Sequence, residues 1–473
     1  ASVSKLTAEV TTLSTVTGSY ALVKDLTATA TYYRALVNPN ASFAFSGGFE
    51  GLGHTISNLS IDRSSSSASN LFYAGLFGYV TGTVSNVGLV NISYKASNSG
   101  TASATDSLAG GLVAYLPNNN PSSPYLQGSY VTGSIEFSSS NQQGISVGGL
   151  VGLVGSTSIT AAAIVQNCWV SVGIKVSGNG NSNTVVGLMV GQLTTATSGA
   201  QAKVSNVSAN GAFTSTGLNS GRFSNLIGRI NSTRVILRNA VALGSVTVSG
   251  SGTNFTISPI GTGSQPTSIS NVYYDSSTYS TSASASAITG VTSYTTSELQ
   301  SSTFSGLSSA WGVSEKQYPY LKYLFPNGIQ TVSGFAYKDG GSSLAVPTAA
   351  NGPVKVNLIL DGTYIGSNVT TANGYYYFAL PVTVSSNAVT QYPIANTNTN
   401  GTHVLVWTDS KSTNSSNAYN LNNYSGGVAG YNLGGSTTAT GFNIYSSGPS
   451  SAITIKTSST SLSGTLTAIK GSS

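Results

Sequence analysis

Apolar residues alternate with small polar residues over short stretches along most of the chain, and Gly, Asn and Ser bound these stretches. A period of two residues is typical of β-strands, whereas apolar positions at helical spacing are nearly absent. The pattern therefore predicts an all-β protein that is built from many short strands.

One sequence element recurs six times, as a small residue, two or three apolar residues and a second small residue. The clearest copies are Gly75–Gly78 and Gly149–Gly152. Successive copies are separated by roughly 33–39 residues, which is within the range of known structural repeats. The six copies end at Gly78, Ala114, Gly152, Gly191, Gly228 and Gly261.

A second element follows each copy of the first, as an Asn or Gly before a short apolar stretch. Its successive copies are separated by roughly 32–42 residues, a similar interval. The six copies begin at Asn86, Gly128, Asn167, Asn206, Asn239 and Asn271.

Two elements that share a period of roughly 37 residues predict a repeat architecture. A propeller blade needs four strands, but each repeat here shows two or three strands separated by glycines. We therefore expect a right-handed parallel β-helix, with strands of successive coils about 4.8 Å apart and glycines that let the backbone bend at the corners. The recurring Asn residues are consistent either with a ladder of stacked side-chain amides or with a simple preference for turns.

The amino-acid composition excludes some classes of protein and argues against others. Only 6% of the 473 residues are charged, against about 25% in ordinary globular proteins. A hydrophobic content of 39% and a mean hydropathy of +0.10 exclude a disordered chain. The net charge of +6 is the balance of 18 basic and 12 acidic residues, and the basic residues are spread over the whole length, which argues against a nucleic-acid-binding protein.

The single cysteine, Cys168, excludes an intramolecular disulfide. The chain has no apolar run of the roughly 18 residues that a transmembrane helix needs, so we expect that it does not span a membrane. Its first residues lack the features of a signal peptide, so an exported chain would already have lost one.

Several further motifs accompany the repeats, namely Phe49–Ile61, Tyr73–Gly78, Val84–Val90, Asn271–Asp275, Thr295–Gln300, Trp311 and Tyr318–Lys322. With these motifs, residues 20–326 resemble the GLUG-motif segments of bacterial filamentous-haemagglutinin-like adhesins. The resemblance implies a β-helix, a location on the bacterial cell surface, and roles in adhesion, aggregation or scaffolding, without a catalytic motif.

The pattern changes near residue 328. Alternating strands around the Asp361-Gly362 and Asn373-Gly374 dipeptides predict antiparallel hairpins and a small β-sandwich of the kind found as stalk domains in surface proteins. The predicted organisation is N-terminal strands or a cap at 1–48, the β-helix at 49–290, a closing segment at 291–327, the sandwich at 328–450 and a C-terminal strand segment at 451–473.

Some β-helix proteins cleave polysaccharides with carboxylates that lie about 5–9.5 Å apart. The repeat places no three acidic residues of the solenoid on one face of adjacent coils, and the two histidines, His54 and His403, are far apart in sequence. We therefore expect no enzymatic activity, no metal and no cofactor. The acidic residues are Glu50, Asp62, Asp106, Glu136 and Asp275.

Two groups of residues are candidates for a ligand surface. Arg222, Arg229, Arg234 and Arg238 form the densest run of charge. They could contact acidic glycans, lipopolysaccharide phosphates or a neighbouring subunit, or they could form a solvated face. Tyr273 and Tyr274 belong to the tyrosine clusters of the chain, which could stack on sugar rings.

The open ends of a solenoid present unpaired backbone groups. Strand-like segments near both termini, of which the C-terminal ones show no evident partner in the sandwich, could complete the sheet of another copy by strand addition and give a head-to-tail polymer. The candidate polymer contacts are Val10, Leu13, Ile453, Ile455, Leu462 and Leu466.

The sequence thus predicts a secreted structural protein of the bacterial cell surface, which assembles into a filament or matrix and mediates adhesion or cell–cell contact. One alternative is a monomeric adhesin domain that binds glycans. A second is a β-helix enzyme that degrades polysaccharides.

Overall fold

The computed structural model describes most of the chain up to Lys338 and shorter parts of the remainder. It is nearly all-β and divides into two compact units, Ala1–Tyr294 and Thr295–Ser473. The described ranges are 16–37, 44–63, 73–98, 107–117, 126–139, 144–155, 163–178, 184–196, 198–199, 201–249, 254–279, 288–338, 342–360, 363–385, 388–391, 404–408, 421–425, 438–440, 453–457 and 461–464.

The first unit is a parallel β-solenoid of about five turns, as the sequence predicts. Its strands are β1 Ser19–Ala21, β2 Leu26–Thr27, β3 Thr31–Tyr32, β4 Gly48–Glu50, β5 Thr55–Ser57, β6 Ser60–Arg63, β7 Tyr73–Ala74, β8 Phe77–Tyr79, β9 Thr83–Ser85, β10 Gly88–Asn98, β11 Ser107–Gly110, β12 Val113–Leu116, β13 Leu126–Gln127, β14 Tyr130–Ser139, β15 Ile145–Gly148, β16 Val151–Val154, β17 Ile164–Gly178, β18 Val185–Gly187, β19 Val190–Leu193, β20 Ala202–Thr216, β21 Ser220–Ser224, β22 Ile227–Ile230, β23 Val235–Ala242, β24 Ser245–Ser249, β25 Asn254–Ser258, β26 Gly261–Gly263, β27 Ser268–Asp275 and β28 Thr292–Tyr294.

Three sheets run along the solenoid. The large sheet has 16 strands and includes β1–β6, β9, β10, β13, β14, β17, β20, β23, β24, β27 and β28. The first narrow sheet contains β7, β11, β15, β18, β21 and β25, and the second narrow sheet contains β8, β12, β16, β19, β22 and β26.

The strand register confirms the two repeated elements with one correction. The third residue of every copy of the second element pairs with its counterpart in the next turn, in the order Gly88, Tyr130, Trp169, Ser208, Val241 and Tyr273. In the first element, Gly261 pairs with Ile227 instead of Gly228. The sixth copy therefore lies one residue out of the predicted alignment.

The core consists of columns in which small or medium apolar residues stack on one another. Leu89, Val131, Val170, Ala209 and Ala242 form one such column and are all fully buried. Burial of each large apolar side chain stabilises the fold by about 1.5–3 kcal/mol. Since every turn repeats the same inward positions, the solenoid keeps one continuous core.

The repeated glycines have a different role from the predicted one. A Cβ atom on Gly191 of the second narrow sheet would lie 2.5 Å from the carbonyl oxygen of Gly152 and 2.6 Å from Oγ of Ser146, which belongs to the first narrow sheet. A Cβ atom on Gly148 would lie 2.0 Å from the carbonyl oxygen of Val151. These glycines allow the two narrow sheets to approach closely, and they do so without a left-handed backbone.

The Asn residues form the amide ladder that the sequence suggested, and they also occupy a turn conformation. Asn167, Asn206, Asn239 and Asn271 have φ angles between 50° and 55°. The Nδ2 atom of each of the last three donates to Oδ1 of the preceding Asn, at 3.0, 3.1 and 2.9 Å respectively. Asn tolerates the left-handed region better than most residues, so the turn preference and the ladder apply together.

The second unit begins with a short helix, α1 Thr296–Leu299, whose capping box joins Thr295 and Glu298. Within the part of the chain that the structure describes, no helix is long and apolar enough to cross a membrane. The strands are β29 Trp311–Ser314, β30 Gln317–Leu321, β31 Ile329–Phe335, β32 Lys355–Leu360, β33 Thr363–Val369, β34 Tyr375–Ser385, β35 Ala388–Gln391, β36 Val404–Thr408, β37 Leu421–Ser425, β38 Thr438–Thr440, β39 Ile453–Thr457 and β40 Ser461–Gly464.

Two sheets of this unit are mostly antiparallel. One has the order β35-β34-β31-β38-β39-β40 and the other β33-β32-β36-β37. Val332 and Tyr376 of the first sheet share a buried cluster with Val356 and Val406 of the second. The two sheets therefore pack on each other, as in a sandwich.

Two sequence predictions differ from the structure in this unit. Strands β39 and β40 are not without a partner, because β39 pairs with both β38 and β40. Asn373-Gly374 does not close a hairpin, since β33 and β34, on either side of it, belong to different sheets. Gly374, at φ 74°, instead forms the turn between the two sheets. Strands β32 and β33 do pair as a hairpin, while Asp361-Gly362 lies outside the described residues.

Candidate functional site

A continuous column of polar side chains follows the outer face of the large sheet. Every member is at least partly exposed, and each pairs with the next across neighbouring turns. We call this set the polar column, and it consists of Glu50, Ser85, Gln127, Gln166, Ser205, Arg238 and Ser270.

Hydrogen bonds join some neighbouring members of the polar column. We call the position that each strand contributes to a column a rung. Nε2 of Gln166 donates to Oε1 of Gln127 at 3.0 Å, and Oγ of Ser85 donates to Oε2 of Glu50 at 2.7 Å. Partial burial raises the pKa of Glu50, but hydrogen bonds from Ser85, Leu52 and Asn86 outweigh this effect, so that the net pKa is lowered. Glu50 thus accepts hydrogen bonds as a carboxylate, at the acidic end of the column.

Two aromatic rings lie on the same two turns as the amide pair of the polar column, beyond the left-handed turns at Gly128 and Asn167. Tyr130 and Trp169 are half-buried, and their ring centroids are 6.0 Å apart. Each lies three positions after a glutamine of that pair, Gln127 or Gln166, on the same two turns. The ring of Tyr130 covers Gly88, because a Cβ atom there would lie 2.3 Å from Cζ of Tyr130. We call Tyr130 and Trp169 the aromatic pair. The sequence repeats place these rings in one column but do not show that they are accessible.

The tyrosines that the sequence analysis selected are covered by other aromatic side chains. Tyr273 is 8% exposed, and its ring packs at 5.5 Å against Tyr294. Tyr274 is half-buried and packs at 5.8 Å against Tyr279. Burial, with a smaller contribution from Tyr294, raises the pKa of Tyr273.

The structure separates the four candidate arginines. Arg222 lies on the first narrow sheet and Arg229 on the second, and both are half-buried. Arg238 is exposed on the large sheet, and Arg234 directly precedes the same strand. The run of charge in the sequence is therefore not a single cluster.

A second column on the large sheet alternates in charge, which the sequence analysis did not detect. Asp62 pairs with Lys95, Lys95 with Glu136, and Glu136 with Lys175. Nζ of Lys175 lies 3.6 Å from Oε1 of Glu136. Asp62 and Glu136 thus share a face, and Lys95 lies between them in this charge column.

The remaining titratable candidates are scattered. Nδ1 of His54 lies 3.2 Å from Oδ1 of Asp25, which also accepts from the backbone nitrogen of Thr55. Cys168 is fully buried, and desolvation raises the pKa of its thiol to about 12. Among the described residues, no group of three or more His, Cys, Asp or Glu could hold a metal ion. Asp106 and His403 lie outside those residues.

The candidate polymer contacts are only partly described. Val10, Leu13 and Leu466 lie outside the described residues. Ile453 and Ile455 belong to β39, and Leu462 belongs to β40, the outermost strand of its sheet. Their role in assembly stays a prediction.

No protein-family model and no curated protein matches the chain. A solved structure that it resembles is described as "a putative immunoglobulin A1 protease from Bacteroides ovatus". The sequences are 19% identical, the TM-score is 0.46, and the match covers 67% of this chain and 90% of the other.

This comparison contradicts the prediction that the chain has no enzymatic activity, since the matching structure carries the description of a protease. We therefore withdraw that prediction. A likeness of this strength does not assign an activity to the chain. Of the resemblance to GLUG-motif adhesins, the β-solenoid architecture is what the structure supports.

Proposed function

We propose that the chain is an extracellular adhesion module of the bacterial cell surface, whose solenoid binds glycans through the outer face of its large sheet. The observation that carries this proposal is that two neighbouring turns each hold one member of the amide pair Gln127–Gln166 and, three residues later, one member of the aromatic pair Tyr130–Trp169. Amides can exchange hydrogen bonds with sugar hydroxyls, and an aromatic ring can cover the apolar face of a sugar.

The scaffold suits such a role. Strands in register hold these side chains at fixed spacing, and the rotamers of Gln166 and Asn206 are fixed by hydrogen bonds to the preceding turn. A rigid surface loses less conformational entropy on binding. Few charges and many small polar residues are consistent with an exposed face that contacts sugars.

A panel of immobilised bacterial surface polysaccharides tests the proposal, with Trp169→Ala as the variant and Tyr323→Ala as the control. Tyr323 is an exposed aromatic residue of the second unit. We expect Trp169→Ala to weaken binding at least about tenfold, as loss of an anchor residue does, and Tyr323→Ala to leave it unchanged. Equal binding by both variants, at equal unfolding temperatures, would argue against the proposal.

A second candidate function is self-assembly through the N-terminal edge of the large sheet. Among the described residues, β1 pairs only with β4 and β2 only with β5, so that each of these strands has one open edge. Four of the six exposed large hydrophobic residues described lie in the same part of the solenoid, namely Tyr20, Val23, Tyr33 and Leu52. An open sheet edge beside apolar side chains is a template for strand addition.

Electron microscopy of the negatively stained protein tests this second candidate. Val23 is 69% exposed and Leu52 is 58% exposed, so that Val23→Lys/Leu52→Lys adds charge with little effect on the core. Regular fibres of the original protein and isolated particles of the variant would support assembly at this edge. Isolated particles of the original protein at every concentration would exclude it.

A further inference from the structure

The net positive charge of the chain lies in the C-terminal half of the solenoid, where acidic residues are absent from a long segment. Residues 137–274 contain six Lys or Arg and no Asp or Glu. The net charge of the whole chain is +6, so the rest of the chain is balanced, with 12 basic and 12 acidic residues. The six residues are Lys175, Lys203, Arg222, Arg229, Arg234 and Arg238.

Three of these cations lie together on the outer face of the large sheet. Lys203 pairs with Ile236 and Ser205 pairs with Arg238, so that Lys203 and Arg238 lie on neighbouring strands, two positions apart. Both side chains are exposed, and Arg234 directly precedes the strand of Arg238. We call Lys203, Arg234 and Arg238 the basic face.

The contacts of the basic face do not neutralise it. Nη2 of Arg238 donates to Oγ of Ser268 at 3.2 Å, and Nη2 of Arg234 donates to the carbonyl oxygen of Gly199. Both acceptors are uncharged. Within the described ranges, none of the three cations forms an ion pair with a carboxylate.

The acidic end of the polar column is too far away to compensate. Glu50 lies five rungs from Arg238 in the strand register, which corresponds to about 24 Å at the usual strand spacing. Charges are largely screened beyond about 8 Å at physiological salt. The basic face therefore presents uncompensated positive charge to the solvent.

We propose that the basic face binds an anionic polysaccharide, through the sulfate or carboxylate groups of a chain that lies along the polar column. Arg and Lys form charge-assisted hydrogen bonds with such groups, while Gln166, Ser205 and Ser270 offer hydrogen-bond partners on neighbouring rungs. The regular rungs suit a linear polymer better than a single small anion. This inference rests on the proposed glycan adhesion and names the class of its ligand.

The test uses the full chain and a matched pair of double variants. Lys203→Ser/Arg238→Ser removes two charges from the basic face. Lys24→Ser/Lys322→Ser removes two charges from exposed lysines elsewhere. The probes are dextran sulfate, polygalacturonate, neutral dextran and duplex DNA, with dissociation constants measured at two salt concentrations.

We expect dextran sulfate, polygalacturonate or both to bind, and neutral dextran not to bind. The dissociation constant should rise about tenfold or more in Lys203→Ser/Arg238→Ser, with a weaker dependence on salt, and change little in the control. Whichever of the two anionic polymers binds more tightly shows whether the face prefers sulfate or carboxylate. Lys203→Arg/Arg238→Lys, which keeps the charge, should retain binding.

Equal weakening in both double variants would overturn the proposal, since binding would then follow the overall charge. Tighter binding of duplex DNA than of either anionic polysaccharide would overturn it in favour of a nucleic acid. If the basic-face variant binds every polymer normally while Trp169→Ala still loses adhesion, the anionic ligand is wrong and the adhesion proposal stands.

Discussion

Asn206 donates a hydrogen bond from its side-chain amide to Oδ1 of Asn167 at 3.0 Å, and it accepts an equivalent bond from Asn239 at 3.1 Å. It does so with a left-handed backbone, at φ 51°. One side chain therefore joins three turns of the solenoid and also determines the local bend of the chain.

Asn206→Ala should lower the free energy of unfolding by about 2–4 kcal/mol, because it removes two hydrogen bonds of about 1 kcal/mol each and places alanine in an unfavourable backbone region. Asn206→Gly keeps the backbone conformation and should cost less. Denaturant titration measures both variants. The exposed Asn254→Ala is the control, and no difference between it and Asn206→Ala would refute the structural role of the ladder.

Gly128 interrupts the ladder between Asn86 and Asn167. It has φ 59°, close to the 54° of Asn167, and its backbone nitrogen donates to the carbonyl oxygen of Gln166. Gly128→Asn should complete the ladder and restrict the unfolded chain. We expect stabilisation of about 1 kcal/mol and a rise in the unfolding temperature of about 2–4 °C, measured by calorimetry. A decrease would mean that this turn cannot accommodate the amide.

The close contact between the two narrow sheets predicts that alanine substitutions of different glycines differ strongly in their effect on stability. Gly191→Ala places a methyl group within 2.6 Å of backbone and side-chain atoms of two other strands, so it should destabilise the solenoid by about 3 kcal/mol or more. At Gly48 the nearest atom to a new methyl group is Oγ1 of Thr83, at 3.4 Å. Gly48→Ala should therefore be close to neutral in the same thermal-unfolding measurement, and similar losses in both variants would contradict the proposed close contact.

The period of the sequence was sufficient to predict the solenoid, because identical inward positions such as Val131 and Val170 must stack in register to be buried. It also indicated the Asn ladder as one of two interpretations, since the same residue type returns at one place in most turns, but it did not decide between a ladder and a turn preference. The glycine contact could not be predicted, because Gly148 and Gly191 meet across two sheets, and local spacing does not indicate which sheets touch.

The candidate site was harder to predict for a related reason. Arg222 and Arg238 are close together in the sequence, which suggests one group, although they lie on different sheets. Lys203 falls outside that group because it is one repeat away from Arg238 along the chain, but it lies on the neighbouring strand. In a solenoid, residues one period apart are neighbours, whereas residues half a period apart are on different faces.

The buried thiol of Cys168 gives a measure of the integrity of the core. Burial raises the pKa to about 12, so the reactive thiolate is scarce at pH 8. A thiol reagent should therefore modify the native protein only at the rate of unfolding, and should react fully in denaturant. Rapid labelling of the native protein at pH 8 would contradict the burial of Cys168.

The charge column predicts a salt-dependent effect. In Lys175→Glu two acidic side chains would occupy neighbouring rungs where Lys175 and Glu136 now lie 3.6 Å apart. Both groups are partly exposed, so the loss at low salt should be only about 1 kcal/mol, and it should shrink at 1 M salt because the Debye length falls to about 3 Å. Lys175→Gln removes the attraction without adding repulsion and serves as the control in denaturant titrations at both salt concentrations. If Lys175→Glu, Lys175→Gln and the original protein were equally stable at low salt, the charges at these positions would contribute nothing, and the alternation of Asp62, Lys95, Glu136 and Lys175 would have no effect on the stability of the solenoid.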